Sequence, residues 1–184
     1  EPKLWADLFS EKFGGWNKSK SILAPDISKV IPKQSKKVVR IKDKANCDVF
    51  WGEPVVVDIH SREFFSLRVA LHILGGDFVS RLMQEVREKR GLTYGMSARL
   101  SGVSDGDSGL LNICGTFAPA LLEQGLKITD EVVRRFADKG ITSAELARAK
   151  QALPGNYLVS LATSSGVAST LLSILETGRE LSFI

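Results

Sequence analysis

Arg87 and Tyr94 stand seven residues apart in the stretch LGGDFVSRLMQEVREKRGLTYG, which runs from Leu74 to Gly95. A guanidinium and a phenol are both hydrogen-bond donors. On composition alone, Arg87 is a solvated helix residue and Tyr94 a strand residue. The spacing by itself is a weak signal. Its weight depends on the elements that carry the two side chains.

Other chemistries are poorly served. GGDF (75–78) is one residue short of the GGDEF signature of diguanylate cyclases, and its flanks read as helices rather than the strands of a hairpin. It reads as a glycine turn joining two helices, with positive φ supplied by Gly and with Asp77 capping the next helix. DGDSG (105–109) resembles the start of a calcium loop but lacks the later acidic ligand, so a polar hairpin loop is expected. His60 and His72 lie in neither HExxH nor HxxEH, and His72 sits in an apolar helical pattern, as a packed histidine would. No zinc site and no G-x-S-x-G nucleophile elbow is seen. Cys47 and Cys114 form no CxxC, so free, buried thiols are expected and no compartment is assigned.

The elements follow from periodicity and breakers. Residues 2–13 read as the last turns of a helix, ended by the glycines of FGGW. KVVRIKDK (37–44) and NCDVFW (46–51) read as strands, and VVVDI after Pro54 as a continuation of the second. Phe64, Leu67, Leu71 and Leu74 repeat at helical spacing up to Gly75–Gly76. Phe78, Val79, Leu82, Met83 and Val86 mark a second helix, ended by Gly91, with Arg81, Glu85, Glu88 and Lys89 on its other face. TYGMSARL (93–100) and GLLNICGTF (109–117) form a hairpin around SGVSDGDS. Pro119 opens a helix lined by Leu122, Leu126, Val133 and Phe136 and closed by Gly140. Thr142 and Glu145 form a capping box for a further helix with a kink expected at Pro154, and a last helix covers about 164–177. The order predicts an α+β domain: a mostly antiparallel sheet with helices packed on one face.

The chain of 184 residues is long enough for one domain with a real core. Its 43% hydrophobic and 25% charged residues are ordinary for a globular protein. No apolar run approaches the roughly 20 residues of a membrane span. The sequence opens on Glu1 without a basic-then-apolar leader, which reads as a fragment or processed chain. Residues 17–44 hold nine Lys or Arg against Asp26 and Asp43. Without interleaved aromatic residues this basic stretch reads as a solvated linker, and no nucleic-acid partner is implied. The division expected is a preceding helix end plus linker over 1–36 and one domain over 37–184.

With the motifs placed, ALHILGGDFVSRLMQEVREKRGLTYGMSA closely resembles the second, non-zinc domain of the pitrilysin and mitochondrial processing peptidase-like zinc peptidases. The match covers Leu74, Gly75, Gly76, Ser80, Arg81, Leu82, Val86, Arg87, Glu88, Gly91, Leu92 and Tyr94. FGGW resembles the entry to that domain, ITSAELARAKQAL its T-x-x-E-L-x-x-A-K helix, and LETGRELSF the segment after its last long helices. The resemblance implies a processing-peptidase-like metallohydrolase half, with one more helix and strand beyond this sequence. Paired domains close over an unfolded peptide. Zinc is held by an HxxEH domain, in the same polypeptide or on a second subunit. This chain then holds no cofactor of its own and supplies Arg87 and Tyr94 to the substrate at that distant metal. Arg81 and Glu88 also match, and read as structural salt-bridge partners. The short Gly75–Gly76 turn implies no presequence-recognition loop. Some members of the family lose catalysis altogether, so a non-catalytic scaffold is the alternative. The isolated chain is expected to bind no zinc tightly and to cleave nothing. Metal stoichiometry of the pure protein tests this, and one zinc held by its own residues would overturn it.

Overall fold

Three antiparallel strands form the centre of the computed structural model, which describes residues 2–16, 33–102 and 109–183. Most of the basic linker, the DGDSG start and the hairpin tip fall outside the described residues. Strand β1 spans Cys47–Val55, β2 Thr93–Ser101 and β3 Gly109–Phe117, in the order β1–β3–β2. Helices α1 (Pro2–Phe13), α2 (Arg62–Gly75), α3 (Leu122–Lys139), α4 (Ser143–Ser160) and α5 (Ser164–Glu176) complete the α+β layout. A π-helix, Met83–Glu88, lies between α2 and β2.

The strands alternate because one face is covered. Met96, Ala98, Ile113 and Phe117 point inward and meet Leu71 and Leu74 of α2, Leu82, Met83 and Val86, and Val132 of α3. The outward face carries Asp48, Phe50, Arg99 and Leu110, all exposed or nearly so. There the Thr116 hydroxyl donates to Asp48 Oδ1 at 2.7 Å. A second cluster of Val57, Ile59 and Phe64 fills the start of α2, which Ser61 caps by accepting the Phe64 N–H at 3.1 Å.

Two helices approach the sheet at glycines. A Cβ on Gly75 would lie 2.5 Å from the Ala98 backbone nitrogen, and one on Gly125 would lie 2.3 Å from the Phe117 ring. The expected positive φ at the Gly75–Gly76 turn is not found, since Gly75 is helical and Gly76 has φ −87°. Glycine serves close approach there. Positive φ appears at Gly91 (61°) and Gly140 (66°), where helices end.

Several boundaries differ from expectation. Residues 37–44 form no strand, and Val38, Val39 and Ile41 are exposed. β-branched side chains favour a strand only where a neighbour covers them. Strand β1 runs on through Pro54 to Val55, but the following VVDI residues leave it. The helix expected from Phe78 begins later. Residues 77–80 form a turn in which Asp77 Oδ1 accepts the Val79 N–H at 3.0 Å, so the aspartate caps that turn. Helix α4 runs through Pro154 without ending. Cys47 and Cys114 are free but only partly buried, and His72, also partly buried, pairs with Asp77 at 3.3 Å. No single described helix is long and apolar enough to cross a membrane.

The capping box at Thr142 and Glu145 is present in both directions. Glu145 also takes Arg81 in a two-point pair, at 2.6 Å from Nε and 2.8 Å from Nη2. Arg81 Nη2 donates as well to Gly140 O at 2.7 Å, and its guanidinium lies 4.9 Å from the Phe136 ring centre. The structural role expected of Arg81 is therefore met: it joins the end of α3, the start of α4 and the π-helix segment. The Arg81 guanidinium, with help from Thr142, holds the Glu145 carboxyl down at about 2 against an ordinary 4.5. A folded value below the unfolded one gives stability that is full above about pH 4.5 and is lost as pH falls through about 2. Glu145→Gln is expected to cost about 1.5–3 kcal/mol at neutral pH, because it leaves a charged donor underused. Urea unfolding of both proteins across the acid range checks this. The difference should shrink as pH falls below the ordinary glutamate range.

Candidate functional site

The π-helix and the first residues of β2 each contain one residue more than a regular element needs. In the helix, the Lys89 N–H reaches back five residues to Gln84 O at 3.0 Å. In the sheet, Thr93 pairs with Phe117 and Gly95 with Thr116, which leaves Tyr94 as the extra residue of a β-bulge. Thr93 and Met96 both point inward although they are three apart, and Tyr94 is turned out with 87% of its surface exposed.

A bulge strands backbone groups, and the neighbours here satisfy them. The Thr93 hydroxyl donates to Thr116 O at 2.5 Å and accepts the Gly95 N–H at 3.2 Å. The Met96 N–H donates to Met83 Sδ of the π-helix at 3.3 Å. Gly91, at φ 61°, closes the helix: its N–H reaches Arg87 O at 2.7 Å, and the Leu92 N–H reaches Val86 O at 3.0 Å. Leu92, 3% exposed, then anchors the chain in the core.

This arrangement brings Arg87 and Tyr94 together. The Arg87 guanidinium lies 5.6 Å from the Tyr94 ring centre and 5.5 Å from that of Phe78. Its Nη1 lies 3.0 Å from Glu88 Oε1. The side chains of this ion pair are 31% and 50% exposed, so the pair adds about 0–1 kcal/mol. Glu88 is thus a partner of Arg87 at the surface. Glu85 is the deeper carboxylate of the same segment, meeting Lys89 at 2.6 Å, Arg90 at 2.8 Å and Arg135 at 3.7 Å. Lys89 first, then Arg90, holds it down at about 2.

The sequence pattern named Arg87 and Tyr94 but not Phe78 as their companion. It also missed both extra residues, although the inward pair Thr93 and Met96 at odd spacing is a signal of the bulge. Among the described residues, no group of three or more His, Cys, Asp or Glu side chains comes together to hold a metal. What the arrangement can do is offer guanidinium and phenol donors at an open surface. Tyr94 serves no part of the core, and its hydroxyl makes no hydrogen bond among the described residues. Tyr94→Phe is therefore expected to change stability by less than about 0.5 kcal/mol. Denaturant unfolding checks this, and a loss well above that figure would assign the phenol a structural task.

Comparison with known proteins gives the setting. The family described as the peptidase M16 inactive domain matches residues 6–153. An uncharacterized zinc protease of Mycobacterium tuberculosis is 37% identical over 107 residues, which cover 58% of this chain and 24% of that protein. A non-peptidase homolog of Helicobacter pylori is 29% identical over 153 residues, 82% of this chain and 34% of its own. The crystal structure of a peptidase M16 inactive domain from Pseudomonas fluorescens superposes with a TM-score of 0.64 at 28% identity, covering 76% of this chain and 33% of that one. The chain thus spans about a quarter to a third of these relatives' lengths. With that match over most of its length, the chain belongs to the peptidase M16 inactive domain family.

Proposed function

We propose that this chain is the substrate-facing, non-zinc half of a clamshell zinc metalloendopeptidase that cleaves peptides or unfolded proteins. It acts with a zinc-bearing HxxEH domain, in the same polypeptide or on a second subunit. Relatives named as zinc proteases support the reading. The observation that carries it is local: Arg87 and Tyr94 touch at an open surface, and neither is needed by the core.

Zinc in the partner domain supplies Lewis-acid activation of water. The residues of this chain do the rest of the work assigned to it. Attack on a peptide carbonyl moves charge onto its oxygen. The Tyr94 phenol donates its O–H to that oxygen as the charge grows, while Arg87 holds the peptide through its N–H donors. Arg87 meets groups that the peptide carries from the start, so it binds substrate before the chemical step as well as during it.

In the complete enzyme, Tyr94→Phe is expected to lower kcat by about 10²–10³-fold with KM nearly unchanged. Arg87→Ala is expected to raise KM in addition. Steady-state kinetics on a fluorogenic peptide separate the two effects. Wild-type kcat for Tyr94→Phe removes the phenol from the mechanism. It would favour a second reading, a non-catalytic scaffold or interaction module of the same fold. The relative described as a non-peptidase homolog keeps that alternative in view.

A further inference from the structure

Phe78 is 70% exposed and belongs to neither core cluster. A lone exposed ring needs no explanation. This one has the Arg87 guanidinium over it at 5.5 Å. The turn that bears it is tied to the π-helix, since Gln84 Nε2 donates to Phe78 O at 3.0 Å. Phe78 and Tyr94 form no ring pair with each other among the described residues, so each meets the cation separately. Glu88 takes the Nη1 side of the same guanidinium at 3.0 Å.

An arginine side chain is long and has much rotamer freedom to lose. A donor that must be ordered by its ligand binds more weakly than one already in place. Two rings and one carboxylate around the guanidinium are the means of ordering it beforehand. Among the described residues only the Nη1 contact with Glu88 engages one of its nitrogens.

We propose that Phe78 is a positioning residue, which holds Arg87 in the orientation that meets the backbone carbonyl oxygens of an extended peptide. The inference rests on the substrate-binding role given to Arg87 above. Stacking at an exposed ring corresponds to about a two- to five-fold effect. In the complete enzyme, Phe78→Ala should raise KM for a fluorogenic peptide by that factor and leave kcat unchanged. Phe78→Tyr should restore the wild-type value. In an Arg87→Ala background, Phe78→Ala should add nothing.

Two measurements keep the inference separate from the functional reading. ¹⁵N relaxation of the Arg87 Nε–H in the complete enzyme should report a rigid group in the wild type and a mobile one in Phe78→Ala. An Nε–H equally mobile in both overturns the positioning role, whatever the kinetics. An undiminished Phe78→Ala effect in the Arg87→Ala background overturns it too, because Phe78 would then touch substrate itself. If Arg87→Ala alone leaves the kinetics unchanged, the functional reading fails, and Phe78 positions nothing that substrate uses.

Discussion

A methionine sulfur holds the candidate site together. The hydrogen bond from Met96 N–H to Met83 Sδ joins two irregularities, a π-turn in a helix and a bulge in a strand. Each irregularity alone leaves backbone groups without their usual partners. The Met83 side chain, presented by the π-turn, satisfies the Met96 N–H of the bulge, and the Thr93 hydroxyl serves the Gly95 N–H and Thr116 O. The bulge turns Tyr94 outward while Thr93 and Met96 both stay in the core. A strand without the extra residue would exchange its inner and outer faces from that point on. The contact of Arg87 with Tyr94 therefore depends on a register that the core enforces.

Two arginines on neighbouring turns show how environment assigns different tasks to one residue type. Arg81 is 16% exposed and has its fork filled by Glu145 and Gly140 O. Such a pair locks segments distant in sequence. Arg87, six residues later, has two rings and a surface carboxylate as neighbours, so its donors are incompletely used. The first arginine fastens α4 to the rest of the domain. The second is held without being consumed.

Much of the layout was legible because it rests on short-range signals. The Thr142–Glu145 box, the helix ends at Gly91 and Gly140, and the apolar spacing of α2 and α3 all appear where the residues imply. The strand expected over 37–44 does not form, because Val38, Val39 and Ile41 find no covering face among the described residues. The sequence places Gly75 in a positive-φ turn, yet its role is the absence of a side chain beside Ala98. That fact belongs to a contact between residues far apart in sequence. The π-turn and the bulge were invisible for a similar reason: one extra residue changes periodicity only where packing shows which side is inward. The Arg87 and Tyr94 pair was readable as a motif, whereas Phe78 joined it only through space.

The glycine contacts set the mechanical tolerance of the domain. Where α2 meets β2 at Gly75, and α3 meets Phe117 at Gly125, no Cβ intervenes. A spacer made of side chains can change length by rotamer jumps, but a contact made by the main chain cannot. Helix α2 is thus seated directly on the β2 main chain at Gly75, while at Gly125 the α3 main chain rests on the Phe117 ring. Any adjustment at this surface then falls to its open side chains. The scaffold beneath them keeps a fixed gauge.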